Sequence, residues 1–270
     1  MPLELLDAGV LAWIQLPTRR GRPNAGVVVD ADGITVVDTL MTPDQYEPFA
    51  AAVDELGLPV RRCVLTGSGV EQAGGTGRFG LAALYGSRQA SVHLDQPPNV
   101  ESWRALFPDE ADAFDDVVTR RVSHVVAADV QLTDAVAVLT TGGQMEENLV
   151  AVVPGAHIVF AGAMCSFGAT PLCWQGDPGR WADELDRLVD LAPIVVPGHG
   201  PIGGEEEVRD LQRYLRACVA AGGDPGRLGA GPWETWSDRD HDVVNVERAA
   251  MLAAGDDGVP PSMLRLAGLA

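Results

Sequence analysis

The residues of this sequence that are best suited to chemistry lie in two glycine-rich turns, each after an apolar run. The first turn follows Val64 and Leu65 and carries Ser68 and Glu71 among its glycines. The second turn follows the apolar run 194–197 and places His199 between two glycines. Carboxylates and imidazoles are the side chains that most often transfer protons in enzymes. The two turns are therefore the candidate functional positions.

The first turn resembles the metal-binding loop of the metallo-β-lactamase superfamily with its ligands replaced. The family motif reads Thr-His-x-His-x-Asp-His-x-Gly-Gly after a strand rich in valine and leucine. Its frame is retained here as Thr66, Gly74 and Gly75. Its four ligand positions hold, in order, Gly67, Gly69, Glu71 and Gln72. The resemblance thus retains the loop and loses its histidines.

The other landmarks of the family follow in the same order along the chain. Counting back from Pro154 by the family spacing places the third histidine position at Gln144. The strand that ends in Phe-x-Gly-Asp in the family ends here at Ala163. The stretch Val-Val-Pro-Gly-His-Gly-Pro is retained in full and contains His199. The resemblance covers most of the chain and implies an α/β fold, the four-layer αββα β-sandwich of the metallo-β-lactamase type.

The resemblance also implies that the metal chemistry of the family is lost. A catalytic zinc ion needs about three protein ligands and an open position for water. His199 is the only family ligand that this sequence retains. We therefore expect no bound metal and no other cofactor, and we do not expect hydrolysis by a metal-activated hydroxide.

A pocket is expected where the metal ligands of the family stand. Its expected substrate-contacting residues are Gly67, Ser68, Gly69, Gln72, Gln144, Ala163 and Cys165. Glu71 and His199 are the strongly titratable groups in it, and we predict that they are a catalytic acid/base pair, worth about 10²–10⁴-fold when well positioned. Burial would raise the pKa of Glu71 and a protonated His199 would lower it, and the sequence leaves the direction open. A structural role for His199 in its turn is the alternative.

Other groups offer less favoured alternatives. Cys165 would be a nucleophile only if its pKa were lowered, whereas most lone cysteines are buried and inert. Glu146 and Glu147 would make an oxygen-rich site with Glu71 and His199, which is weak for zinc. The remaining histidines lie outside the motifs, and we expect structural or surface roles for His93, His124, His157 and His241.

Composition restricts the classes of partner. The 270 residues carry a formal net charge of −19, which disfavours nucleic acid and anionic membranes because phosphate binding needs a basic surface. All basic side chains are arginine, so lysine Schiff-base chemistry is excluded. No apolar run reaches the roughly 20 residues of a membrane helix, and the first residues lack the basic start of a signal peptide. We expect a cytoplasmic protein with a small-molecule ligand, and the sequence leaves its oligomeric state open.

The elements that position these residues follow from periodicity. Val10 to Leu16 is a predicted strand, and the basic turn with Arg19, Arg20 and Arg22 is predicted to be a solvated hairpin tip, with an anionic-substrate contact as the alternative. A predicted hairpin covers residues 24–39, and its strand-end Asp38 is predicted to be a hydrogen-bond acceptor. Helix 42–56 and strand 60–66 complete a strand–helix–strand unit. Residues 100–113 are either a lid that supplies aromatic side chains to the pocket or a packed amphipathic helix.

The second half of the chain is predicted to form the second sheet, from short strands at 122–126, 131–133, 135–139, 149–153 and 157–161. Helices are predicted at 181–191 and 205–221. We place a metallo-β-lactamase-like domain at 1–221, and a linker with a C-terminal helix that packs on the same domain at 222–270. The resemblance suggests a metal-independent hydrolase, lyase, cyclase or thioesterase, as in natural-product biosynthesis. The alternative is a non-catalytic protein that binds a ligand or a partner.

Overall fold

Valine-rich segments form two sheets in the computed structural model, which describes residues 3–269. The first sheet has 7 strands that are adjacent in chain order. They are β1 Glu4–Asp7, β2 Val10–Trp13, β3 Ala25–Asp30, β4 Gly33–Val37, β5 Val60–Val64, β6 Ala83–Gly86 and β7 His124–Val125. Strands β1 to β4 pair antiparallel, and β4 to β7 pair parallel.

The second sheet has 5 strands in the order β12, β11, β10, β9, β8. They are β8 Val130–Gln131, β9 Ala137–Thr141, β10 Asn148–Val153, β11 Ile158–Ser166 and β12 Ile194–His199. Only the β11–β12 pair is parallel among the described strands of this sheet. A helix at Pro178–Leu191 (α5) connects these two strands, as a parallel connection requires.

Helices cover the outer faces of both sheets. They are α1 Pro43–Asp54, α2 Val70–Ala73, α3 Arg88–Leu94, α4 Val100–Leu106, α5 Pro178–Leu191, α6 Glu205–Ala220, α7 His241–Ala253 and α8 Pro261–Leu266. Short 3₁₀ helices lie at Gly74–Gly77, Pro108–Asp116, Pro154–Ala156, Pro225–Arg227 and Pro232–Thr235. No described helix has both the length and the apolar character needed to cross a membrane.

Three apolar layers hold this architecture together. Phe49 and its neighbours on α1 pack on the outer face of the first sheet. Phe160 and Val196 belong to the layer between the sheets. Trp181 of α5 and Tyr214 of α6 pack on the outer face of the second sheet. Full burial of each such aromatic or aliphatic side chain contributes about 1.5–3 kcal/mol, and the layers confirm the predicted αββα sandwich.

The structure corrects several predicted elements. The strand predicted at 122–126 belongs to the first sheet, because His124 and Val125 pair with β6. Strands β1 and β6 were not predicted, since one is largely exposed and both are only 4 residues long. The segment 100–113 divides into α4 and a 3₁₀ helix that begins at Pro108. The hairpin, the α1 helix and strands β10 to β12 lie where the sequence predicts them.

Candidate active site

The floor of the site is a hydrogen-bonded junction between the two sheets. Asp38 follows β4 and accepts hydrogen bonds from the Thr66 amide (2.8 Å) and the Thr66 hydroxyl (2.6 Å). The Thr66 hydroxyl oxygen accepts in turn from the Ala163 amide at 3.0 Å. Gly162 has φ +48°, and a Cβ there would lie 2.1 Å from Thr66 Oγ1, so only glycine fits. Asp38 is thus the predicted acceptor, and it connects the loop after β5 to β11.

Glu71 and His199 form a direct pair at the centre of the site. His199 Nε2 donates to Glu71 Oε1 at 2.8 Å, and both side chains are 16% exposed. The same Glu71 oxygen accepts from the Gly21 amide at 2.9 Å. Glu71 is held by α2, which follows β5, and His199 by the end of β12. The fold therefore brings together two residues that are 128 positions apart in sequence.

The electrostatics of the pair favour a carboxylate and an imidazolium. Burial alone would raise the pKa of Glu71, but the His199 charge, its hydrogen bond and the Gly21 amide outweigh burial and lower it. Burial alone would lower the pKa of His199, but the Glu71 carboxylate outweighs burial and raises it. These opposite directions answer the question that the sequence left open.

An inner cleft of about 590 Å³, including its open mouth, lies beside the pair. Its polar lining includes Glu71, His199, Arg20, Asp238 and His241. The remaining lining residues are Gln72, Leu106, Phe107, Gln144, Ala163, Cys165, Ser166, Ala169, Thr170, Pro171 and Leu172. A concave site with a few convergent polar groups is typical of small-molecule binding.

An outer cleft of about 850 Å³ adjoins the inner one. Glu71, Gln72 and Gln144 line both clefts and therefore separate them. Aromatic side chains of Trp103, Phe107 and Trp174 line the outer cleft. Ser68 also lies there, and its Oγ is 2.7 Å from Nδ1 of His93.

The positions that hold metal in the family do not form a metal site here. An added Cβ on Gly69 would lie 2.9 Å from Gln72 Oε1, and one on Gly67 would lie 3.1 Å from the Ala163 Cβ. Gln72 therefore refills part of the space that the replaced ligands left. Among residues 3–269, no group of three or more His, Cys, Asp or Glu side chains could hold a metal ion.

The donor chemistry fits zinc poorly for a second reason. Glycine and alanine have no ligand atom, and the amide of Gln72 is not among the usual zinc ligands. The two ionisable groups that remain, Glu71 and His199, are hydrogen-bonded to each other. A zinc centre of the family type does not fit these residues.

Two alternatives from the sequence find no support in the geometry. Cys165 lines the inner cleft, but its thiol is buried, and burial raises its pKa far above the usual range, so it stays protonated. Glu147 accepts from the Gln89 amide at 3.1 Å, and both Glu146 and Glu147 line a different depression. The oxygen-rich metal site proposed for them with Glu71 and His199 is wrong for the described residues.

The arginine turn is not the solvated hairpin tip that the sequence favoured. Arg19 pairs with Asp109 at 2.8 Å, and Arg20 pairs with Asp240 at 3.1 Å. The Arg20 amide also donates to Asp238 at 2.8 Å. Acidic side chains from two distant segments thus hold the turn over the site, where its Gly21 amide contacts Glu71.

Two histidines outside the motifs lie at the site. His241 begins α7, contacts the Thr170 carbonyl through Nδ1 at 2.8 Å and lies 3.2 Å from Arg20 through Nε2. Burial lowers its pKa, and the uncharged ring donates to the carbonyl and accepts from the guanidinium. His93 lies in the outer cleft. Neither has a local sequence signal, because each meets its partners only in the folded chain.

The segment 100–113 contributes to the site as the lid alternative predicts. Leu106 and Phe107 line both clefts, and Trp103 lines the outer one. The same aromatic side chains pack with Phe114, whose ring centre is 5.7 Å from that of Trp103 and 6.0 Å from that of Phe107. The lid is therefore also a small packed cluster.

The C-terminal segment completes the inner cleft. Asn245 of α7 accepts from the Cys173 amide at 2.8 Å and donates to the Pro171 carbonyl at 2.7 Å. Tyr214 of α6 donates to Asp242 at 2.8 Å. These buried contacts hold His241 at the cleft, while the predicted boundary between residues 221 and 222 stays a prediction.

Comparisons with known proteins identify the fold. No protein-family model matches this sequence, and no curated protein matches it. Solved structures do match. The DIM-1 metallo-β-lactamase is 17% identical, with a TM-score of 0.62 over 79% of this chain and 96% of its own. A metallo-β-lactamase from Pontibacter korlensis is 19% identical, with a TM-score of 0.61 over 79% and 98%.

A third similar structure is the FIM-1 metallo-β-lactamase from Pseudomonas aeruginosa, described in a mono-zinc form. It is 16% identical, with a TM-score of 0.60 over 80% of this chain and 96% of its own. At these identities the likeness establishes the architecture and not the activity. The chain therefore has the metallo-β-lactamase fold, in a form whose metal-ligand positions are largely occupied by residues that cannot bind zinc.

Proposed function

We propose that this protein is a metal-independent enzyme that acts on a small organic molecule, with Glu71 and His199 as its acid/base pair. The observation that carries this proposal is the 2.8 Å contact between the two side chains at the cleft that replaces the metal centre. A carboxylate and an imidazolium with oppositely shifted pKa values are a recurrent arrangement for proton transfer. The expected reactions are hydrolysis, elimination or cyclisation, as in thioesterases and cyclases of natural-product pathways.

We assign a role to each atom of the pair. Glu71 Oε1 is occupied by His199 and Gly21, whereas Glu71 Oε2 has no hydrogen-bond partner among residues 3–269. Oε2 is therefore the oxygen that takes a proton from substrate. His199, which is protonated more readily than a free imidazole, returns a proton to the departing or newly negative atom. Because the pKa of Glu71 is lowered, Glu71 is a weak base, and the pair suits a substrate with an acidic proton, such as one on a carbon between two carbonyl groups.

The test is turnover of a panel of esters, thioesters, lactones and β-lactams by protein stripped of metal with a chelator. Glu71→Gln and His199→Gln keep the size of each side chain and remove its proton transfer. We expect each to lower kcat by about 10²–10⁴-fold, the usual contribution of a positioned acid or base. Glu206→Gln, at an exposed position of α6, is the matched control and should leave kcat unchanged. Variants as active as the wild type would contradict the proposal.

A non-catalytic binding protein is the second candidate, and one observation favours it. Gln72 refills space beside Gly67 and Gly69, where the replaced metal ligands of the family would stand. A ligand that co-purifies and raises Tm without being converted would favour this candidate. In that case Glu71→Gln would change affinity alone.

A further inference from the structure

We propose that Ser68 and His93 are a nucleophile and general-base pair in the outer cleft, and that the protein hydrolyses esters or thioesters of apolar acyl groups through an acyl-serine. The pair is separate from Glu71 and His199. The proposal therefore stands whether or not those two residues transfer protons.

The distance between the two side chains is that of an activated serine. Ser68 Oγ lies 2.7 Å from His93 Nδ1, within the range in which a base takes a hydroxyl proton. With His93 in the tautomer that carries its proton on Nε2, the Ser68 hydroxyl donates to Nδ1. Among residues 3–269, the other polar neighbour of this hydroxyl is the Met145 sulfur at 3.5 Å, which is a weak acceptor.

Both side chains stand on anchored backbone. Ser87 caps α3 by accepting from the Ala90 amide at 3.0 Å, and its hydroxyl donates to the Glu147 carbonyl at 3.1 Å. The Glu147 amide donates to Gln89 at 3.1 Å, which ties the helix of His93 to the 144–148 loop. Asn148 of that loop donates to the Thr66 carbonyl at 3.0 Å, two residues before Ser68. Serine and histidine are therefore held through one shared loop.

The surroundings of His93 favour a base. Burial lowers the pKa of His93, so the ring is uncharged near neutral pH. An uncharged imidazole is the form that accepts a proton from a hydroxyl. The protonated form is then ready to give that proton to a leaving group.

The outer cleft has room and walls for an apolar acyl group. The space between its walls, together with its open mouth, is about 850 Å³. Trp103, Phe107 and Trp174 line it together with Ser68. Gln72 and Gln144 line the same cleft, and their amide groups are donors of the kind that stabilise an oxyanion.

The proposed reaction has two steps. Ser68 Oγ attacks the carbonyl carbon and gives its proton to His93 Nδ1. The bond to the alcohol or thiol breaks, and that group leaves with the proton from His93. Water then attacks the acyl-serine with His93 again as base, which releases the carboxylic acid and restores the serine hydroxyl.

A fluorophosphonate tests this pair directly, because it reacts with activated serines. Ser68 Oγ forms a bond to phosphorus, fluoride leaves, and His93 takes the hydroxyl proton. Intact-protein mass spectrometry should show one adduct, and peptide mapping should place it on Ser68. We expect Ser68→Ala to lose the adduct and His93→Gln to slow labelling at least about 100-fold.

Controls keep the outcome decisive. Ser91→Ala in the same helix as His93 and Glu206→Gln on α6 should be labelled at the wild-type rate, and circular dichroism should show that every variant is folded. If Ser68→Ala does not fold, peptide mapping of the wild type decides. No adduct on the wild type, an adduct on another residue, or a His93→Gln variant labelled at the wild-type rate would overturn the proposal.

Discussion

At the scale of residues, the site has a buried pair of opposite charges where the family has a set of metal ligands. Removing one partner of such a pair leaves the other charge without compensation, which costs about 3–5 kcal/mol in buried settings. Glu71 and His199 are each 16% exposed, so their pair approaches that setting. Loss of either partner alone should therefore lower the stability of the folded protein.

The stability of the pair should depend on pH in a defined window. The pKa of Glu71 is lowered from 4.5, so its contribution is complete above about pH 4.5 and is lost as the pH falls through its lowered value. The pKa of His199 is raised from 6.5, so its contribution is complete below about pH 6.5 and is lost as the pH rises through its raised value. The difference in unfolding free energy between wild type and Glu71→Gln should peak between these limits, at up to about 3 kcal/mol.

Urea unfolding at pH 5.5, 7.5 and 9 measures this difference. The Glu206→Gln control should follow the wild type at each pH. A Glu71→Gln difference that is constant from pH 5.5 to pH 9 would show that the two groups are not an ion pair.

The contribution of Asp38 to stability should change with pH in the opposite direction to that of Glu71. Burial raises its pKa from 3.8 to about 7 against the Thr66 hydrogen bonds, so the fold disfavours its ionised form. The Asp38 contribution to the free energy of unfolding should fall as the pH rises from about 4 to 7 and should then stay constant. The reason is that Asp38 loses its proton at a lower pH in the unfolded chain than in the folded protein. Asp38→Asn removes this titration, and asparagine tolerates the φ of +58° at this position. Parallel stability curves for wild type and variant between pH 4 and 7 would contradict the assignment.

At the scale of elements, the loop after β5 retains its glycines because of close backbone contacts. A Cβ on Gly74 would lie 2.0 Å from the Met41 carbonyl oxygen, which belongs to rigid backbone. Gly74→Ala should therefore destabilise the protein by about 3 kcal/mol or more, at the upper end of overpacking effects. Gly80→Ala is the matched control, since its nearest neighbour would be 3.4 Å away. Equal Tm values for both variants would show that the loop is not held against Met41.

The α7 helix should be essential to the inner cleft. Asn245 is fully buried and contacts Cys173, Pro171 and Tyr214. Asn245→Ala leaves the Cys173 amide and the Pro171 carbonyl without a partner, at about 1–3 kcal/mol for each unsatisfied group. Asn99→Ala removes only an exposed helix cap, at about 1 kcal/mol. Thermal unfolding compares them, and a smaller loss for Asn245→Ala than for Asn99→Ala would contradict this role of α7.

At the scale of the whole molecule, the sequence predicts most of the architecture. Continuous apolar runs such as Val195 and Val196 identify the buried strands, and the glycine-rich turns after them locate the loop of Glu71 and the turn of His199. Their predicted convergence is confirmed by the 2.8 Å contact. The order of landmarks along the chain carries this information, since strand ends meet at one edge of a sandwich.

The remaining parts of the site depend on tertiary contacts that no local pattern encodes. The sequence predicts an exposed basic turn at Arg20, because the ion-pair partner of Arg20, Asp240, is 220 positions away in the chain. His93 and His241 have no motif, and each reaches the clefts through the packing of its helix. Burial also sets the direction of each pKa shift, and burial belongs to the fold.

The proposed function requires that this fold works here without a bound metal ion. Elemental analysis of untagged purified protein by plasma mass spectrometry tests that claim, paired with native mass spectrometry for retained organic molecules. We expect far less than one equivalent of zinc, iron or manganese, with no change on mutation of His199. One or two equivalents that survive dialysis and are lost in His199→Gln would contradict the account and assign Glu71 and His199 as metal ligands.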